Sequence, residues 1–97
     1  MILHMVLFKW GRTLTTVDEK NLQGAFEGLR NIPEARHLVH GPDLGIRPRT
    51  CDYAMTARFE DADALARYIE HPAHVAVVAA LGAVDADMTI AQIDGPR

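Results

Sequence analysis

The 97 residues carry 10 basic against 13 acidic side chains, a net charge of −3 with the histidines neutral, and no basic block or stripe is present, which argues against nucleic acid as a partner. Hydrophobic residues make up 48% and charged ones 24%, a globular and not a disordered balance, and the length fits one domain over residues 1–97 with a modest core. Cys51 is the single cysteine, so no internal disulfide can form and a reducing, cytoplasmic setting is expected; no apolar run is long enough to span a bilayer.

The opening MILHMVLFKWGR lacks a basic segment before its apolar run and a small-residue cleavage pattern after it, so it reads as a strand and not as a signal peptide. Over Ile2 to Trp10, one alternating set holds Ile2, His4, Val6, Phe8 and Trp10, and the other Leu3, Met5 and Leu7. A strand apolar on both sides is covered on both sides. Thr16-Val17-Asp18-Glu19 has the pattern of a capping box, with Thr16 as the cap. The helix after it places Leu22, Ala25, Phe26 and Leu29 at helical spacing and is expected to stop near Asn31, ahead of Pro33.

A second strand fits Ala35 to His40 and is ended by Gly41-Pro42. Asp43 to Thr50, with Gly45, Pro48, Arg47 and Arg49, reads as an exposed loop. Tyr53, Met55, Ala57 and Phe59 alternate with Asp52, Ala54, Thr56 and Arg58 to give a third strand. Asp61 or Asp63 starts the next helix, which carries Leu65, Tyr68 and Ile69. Pro72 re-aims the chain, because proline fits the first position of a helix and pushes its predecessor out of helical geometry. A further helical piece runs through Val75, Val78 and Ala79 to about Leu81, and the last strand covers Met88 to Ile93.

The order β-α-β-β-α-β is the split-βαβ, ferredoxin-like α+β layout. It places helices on one face of a four-stranded antiparallel sheet and leaves the other open. Leu3, Met5 and Leu7 then need a partner, and two copies packing sheet on sheet would supply it. A homodimer in the form of a shared α+β barrel is the expectation.

Tyr68-Ile69-Glu70-His71-Pro72-Ala73-His74 is the chemically richest stretch. His71 falls just outside the helix that Pro72 begins, and His74 lies in its first turn. The free N–H groups and the positive helix end disfavour an imidazolium there and help keep His74 neutral. A neutral imidazole can serve as a base or a hydrogen-bond partner.

These residues resemble a known family, the Dabb proteins or stress-responsive dimeric A/B barrel domains. His4-Met5-Val6-Leu7-Phe8-Lys9 resembles their opening H-x-V-x-F-K strand, and Gly41-Pro42-Asp43-Leu44 their glycine-containing segment after strand two. Asp52-Tyr53 and Phe59-Glu60-Asp61 fit the ends of strand three. Tyr68 to His74 resembles their Y-x-x-H-P-x-H motif. The resemblance runs from residue 2 to about 93 and implies the dimeric barrel. Plant polyketide cyclases of the family, such as olivetolic acid cyclase, perform an intramolecular aldol condensation without metal or organic cofactor. The resemblance carries their roles onto His4, Tyr68 and His74, and leaves Tyr53 where the cyclases have a third-strand histidine.

Such a cyclisation needs a base for a proton between two carbonyls and a donor for the enolate oxygen. His74 is the candidate base, Tyr68 its orienting partner or donor, and His4 an auxiliary polar group. Tyr53, Val6 and Phe8 are candidate contacts for a small apolar or carbonyl-containing molecule. The plainer alternatives are a buried, hydrogen-bonded His74, a structural His4 and a packed Tyr68. A zinc site would draw on His71, His74 and Glu70 or Asp63, but no H-E-x-x-H pattern supports it, and no metal or cofactor is expected. His37 and His40 should face opposite sides of strand two as edge or surface groups. Cys51 reads as a small buried residue. Two functions therefore stand: a cofactor-independent acid–base enzyme, polyketide cyclase-like, and a non-catalytic stress-associated protein that binds a small molecule or forms oligomers.

Overall fold

A computed structural model describes residues 1–48 and 50–96. Arg49, one of the two loop arginines, lies outside the described residues. The elements are β1 (Ile2–Lys9), α1 (Thr16–Gly28) with a 3-10 turn at Leu29–Asn31, β2 (Arg36–Pro42), β3 (Tyr53–Phe59), α2 (Ala62–Glu70), α3 (Pro72–Ala83) and β4 (Asp87–Asp94). The strands form one sheet in the order β2-β3-β1-β4, with every neighbouring pair antiparallel. This is the ferredoxin-like α+β fold, and the strand and helix order is the one the hydrophobic pattern predicts.

Cross-strand register decides which residues meet. His4 pairs with Ala57 and Gln92, Val6 with Met55 and Ile90, and Phe8 with Tyr53 and Met88. These rows face the helices, and Val6, Phe8, Met55, Ala57 and Phe59 form the core with Leu22, Phe26, Tyr68, Val77 and Leu81. Leu3, Met5 and Leu7 lie on the opposite face beside Ala54, Thr56, Ala91 and Ile93. Only one face of β1 is thus covered by this chain's own helices, and Leu7 and Ile93 stay exposed on the other.

The helix ends follow local chemistry. Thr15, and not Thr16, caps α1: its hydroxyl accepts from the Asp18 N–H, and Asp18 accepts from the Thr15 N–H. Two consecutive threonines each stand three residues before an acid, so the sequence alone is ambiguous. Arg12 decides the matter by donating to Asp18 at 2.6 Å while also reaching the Ala83 carbonyl at 2.9 Å. The same contact holds the Asp18 carboxyl well below the usual carboxylate range. Between Arg12 and β1, Gly11 donates to the Val84 carbonyl, and a Cβ there would fall 2.3 Å from the Asp85 carbonyl oxygen. Asp61 caps α2 through the Ala64 N–H.

Strand two departs from expectation. It runs through Gly41 and Pro42, which a sheet edge tolerates because the missing N–H of proline leaves no inner ladder broken. A register shift between Arg36 and Val39, with His37 at φ 50°, breaks the simple alternation. His40 is in consequence no surface group. Its side chain is 6% exposed; Nδ1 lies 2.7 Å from the Tyr53 hydroxyl and Nε2 2.9 Å from Glu27 of α1.

Candidate functional site

A cavity of about 260 Å³ opens between α3 and the β1–β4 side of the sheet. Three parallel rows build it. His4, Val6 and Phe8 come from β1, Gln92, Ile90 and Met88 from β4, and His74, Val77, Val78 and Leu81 from α3. Tyr68 and Ile69 of α2 and Met55 of β3 complete the wall. Strand period two and helix spacing of three and four line up the polar members at one end and the apolar members toward the other. The edge strand leaves the mouth open: Ile90 is 53% exposed although its side chain faces the helix layer. An apolar pocket with a few convergent polar groups is the usual form of a small-molecule site.

His71 makes the polar end possible. It ends α2 and caps α3, with its Nδ1 accepting from the Ala73 N–H at 3.0 Å. Its extended backbone, at φ −65° and ψ 140°, is the geometry that Pro72 demands. The break turns the chain so that His74 meets Tyr68, six residues earlier. Their rings pack edge to face with centroids 4.7 Å apart. His4 packs against the other partners of this cluster, 6.0 Å from the Tyr68 ring and 5.8 Å from Phe59.

Each polar group is biased toward its neutral form. Burial lowers the pKa of His74, partly opposed by a hydrogen bond to the Ile69 backbone. Burial also lowers the pKa of His4, and the nearby His74 adds to the effect. Desolvation raises the Tyr68 phenol to about 12. The Tyr68 hydroxyl does not bond to His74. Its partner is Met55 Sδ at 3.8 Å, a weak thioether acceptor that a ligand oxygen can outcompete. His4 Nδ1 lies 2.9 Å from Gln92 Nε2. Gln92 gives no signal in the sequence beyond its place on an apolar strand, and only the β1–β4 register reveals it.

The three residues His4, Tyr68 and His74 are therefore neighbours, and Val6 and Phe8 line the same cavity. Tyr53 does not. It stacks on Phe26 at 4.8 Å and bonds to His40, toward the β2 side of the sheet. The Phe8 and Trp10 rings lie next to it. Among the described residues, no three His, Cys, Asp or Glu side chains gather as metal ligands, and no helix is long and apolar enough to cross a membrane.

The sequence pattern of the Stress responsive A/B Barrel Domain, Dabb, matches residues 2–94. This chain belongs to the Dabb family. An uncharacterized protein of Streptomyces coelicolor is 40% identical over 82 residues, 81% of this chain and 84% of that protein. A dimeric ferredoxin-like protein of unknown function from Thermobifida fusca superposes with a TM-score of 0.84 at 31% identity, over 95% of this chain and 88% of that one. The hydroxynitrile lyase of Passiflora edulis shares the fold, with a TM-score of 0.77 at 17% identity over 95% of this chain and 90% of that one. The ferredoxin-like fold of this chain is thus shared by a dimeric protein without an assigned function and by an enzyme.

Proposed function

We propose that this chain is a homodimeric, cofactor-independent acid–base enzyme acting on a small, largely apolar carbonyl compound, with a polyketide-like β-dicarbonyl as the substrate class. The observation that carries the reading is the polar end of the cavity. Two histidines whose burial favours the neutral form, and a phenol whose hydroxyl is directed at a thioether, converge there, at the end of an otherwise apolar pocket.

In this reading the free ring nitrogen of His74 removes a proton from the carbon between two carbonyls. The Tyr68 hydroxyl donates to the enolate oxygen that develops. The enolate carbon then attacks a second carbonyl of the same molecule, forming the carbon–carbon bond, and the imidazolium of His74 returns its proton to the new alkoxide. No electrons leave the substrate and no atoms are lost. The low basicity of a buried His74 keeps it in the unprotonated form that the first step needs.

The exposed, partly apolar face of Leu3, Met5, Leu7 and Ile93 supports the homodimer, as does the dimeric state of the Thermobifida protein. A cytoplasmic setting suits the unpaired Cys51. The competing reading is a non-catalytic protein that holds a small molecule in the same cavity. Turnover of a linear β-polyketide thioester separates the two. The enzyme reading predicts cyclisation by the wild-type protein and its loss in His74→Ala while the dimer stays folded. Binding without turnover by the wild-type protein would favour the non-catalytic reading.

A further inference from the structure

We propose that Gln92 is a positioning residue that holds His4 as its Nε2–H tautomer, so that His4 serves the cavity as a hydrogen-bond donor and not as a second base; the role in catalysis rests on the acid–base reading above. The two residues are direct cross-strand partners on β1 and β4. Gln92 Nε2 stands 2.9 Å from His4 Nδ1. In this arrangement the amide nitrogen donates and Nδ1 accepts, which puts the single proton of a neutral imidazole on Nε2. Ring contacts with Phe59 and Tyr68 fix the plane of His4, which is 7% exposed.

Packing alone gives no reason for an amide at this position. The other cavity-side residues of β4 are Met88 and Ile90, and a third apolar side chain would extend that wall. His74 is set the opposite way. The Ile69 backbone beside its ring favours a ring N–H on that side, because a carbonyl can only accept, which leaves the second ring nitrogen its lone pair. One cavity thus holds one imidazole set to donate and one set to accept. A substrate with two oxygens around an acidic C–H needs this division: a base for the carbon acid, and donors, His4 and Tyr68, for the oxygens.

The substitution Gln92→Glu reverses the demand, because a carboxylate accepts and draws a proton onto Nδ1. Long-range ¹H–¹⁵N correlation of the histidine rings in the full-length protein reads the tautomer without any substrate. Wild type is expected to show a protonated Nε2 and a bare Nδ1 at His4 near pH 7.5, and Gln92→Glu a protonated Nδ1. A protonated Nδ1 in wild type would overturn the proposal, and that measurement stands even if the variant fails to fold. In the turnover assay, Gln92→Glu should lower kcat about 10-fold or more with KM little changed. Unchanged kcat and pH profile in an active enzyme would overturn the positioning role. Absence of turnover in wild type would instead sink the acid–base reading and leave the tautomer result intact.

Discussion

Tyr68 packs its ring edge against His74, with centroids 4.7 Å apart, while its hydroxyl is directed at Met55 Sδ. Orientation and donation are therefore separate jobs of one side chain: the ring props the imidazole and the hydroxyl remains available. Tyr68→Phe keeps the ring and removes only the donor. Stability by urea denaturation should change little, because a thioether bond is weak. Turnover should fall about 10²-fold, the range for loss of one oxyanion donor. A stable, fully active Tyr68→Phe would remove the hydroxyl from the mechanism.

Tyr53 belongs to a different cluster, and its substitution should tell the two apart. Tyr53→Phe leaves His40 Nδ1 buried without its partner, at a cost of about 1–3 kcal/mol. Chemical denaturation should register that loss while kcat stays near wild type. A large drop in kcat at unchanged stability would return Tyr53 to the site.

The sheet face away from the helices should hold two copies together. Leu7→Asp places a charge among Met5, Ala54, Thr89 and Ala91, where desolvation would penalise it in the dimer. Sedimentation should show the wild type as a dimer at micromolar concentration and the variant shifted toward monomer. A wild-type protein that sediments as a monomer would refute the assembly.

Acid should destabilise the fold through His4 and His74. Both have folded pKa values below the ordinary histidine value of about 6.5. Above that pH neither state binds the extra proton, and the contribution is flat. As pH falls below about 6.5 the unfolded chain takes up protons first, so stability drops until the folded values are passed. Thermal melts from pH 7.5 to 5 should show the decline, and His4→Phe or His74→Phe should flatten it. An unaltered slope in both variants would assign the acid response to other groups.

Much of the fold was legible because period and punctuation agree. Strand one, the helix around Phe26, strand three and the His71-Pro72 break each carry an unambiguous local signal. What failed to show was long-range. Thr15 and Thr16 are equivalent caps until Arg12 reaches Asp18. His40 looks like an edge residue until a register shift turns it toward Tyr53 and Glu27. At the site, His4, Tyr68 and His74 carry motif signals, but no motif says that the Tyr68 hydroxyl bonds to Met55 instead of His74. Gln92 enters only through its pairing with His4, 88 residues away in sequence.

The claim on which the rest depends is that His74 is a base toward carbon acids, and the partial reaction tests it without knowledge of the natural electrophile. Exchange of the acidic C–H of an alkyl-tailed β-ketoester into D₂O is the measurement, followed by NMR across pH. Wild type should accelerate exchange above buffer, with activity persisting below pH 6.5 because burial lowers the His74 pKa. His74→Ala, folded and dimeric, should lose about 10²–10⁴-fold of that acceleration. Equal exchange in the variant, or none above buffer in wild type, would contradict the account.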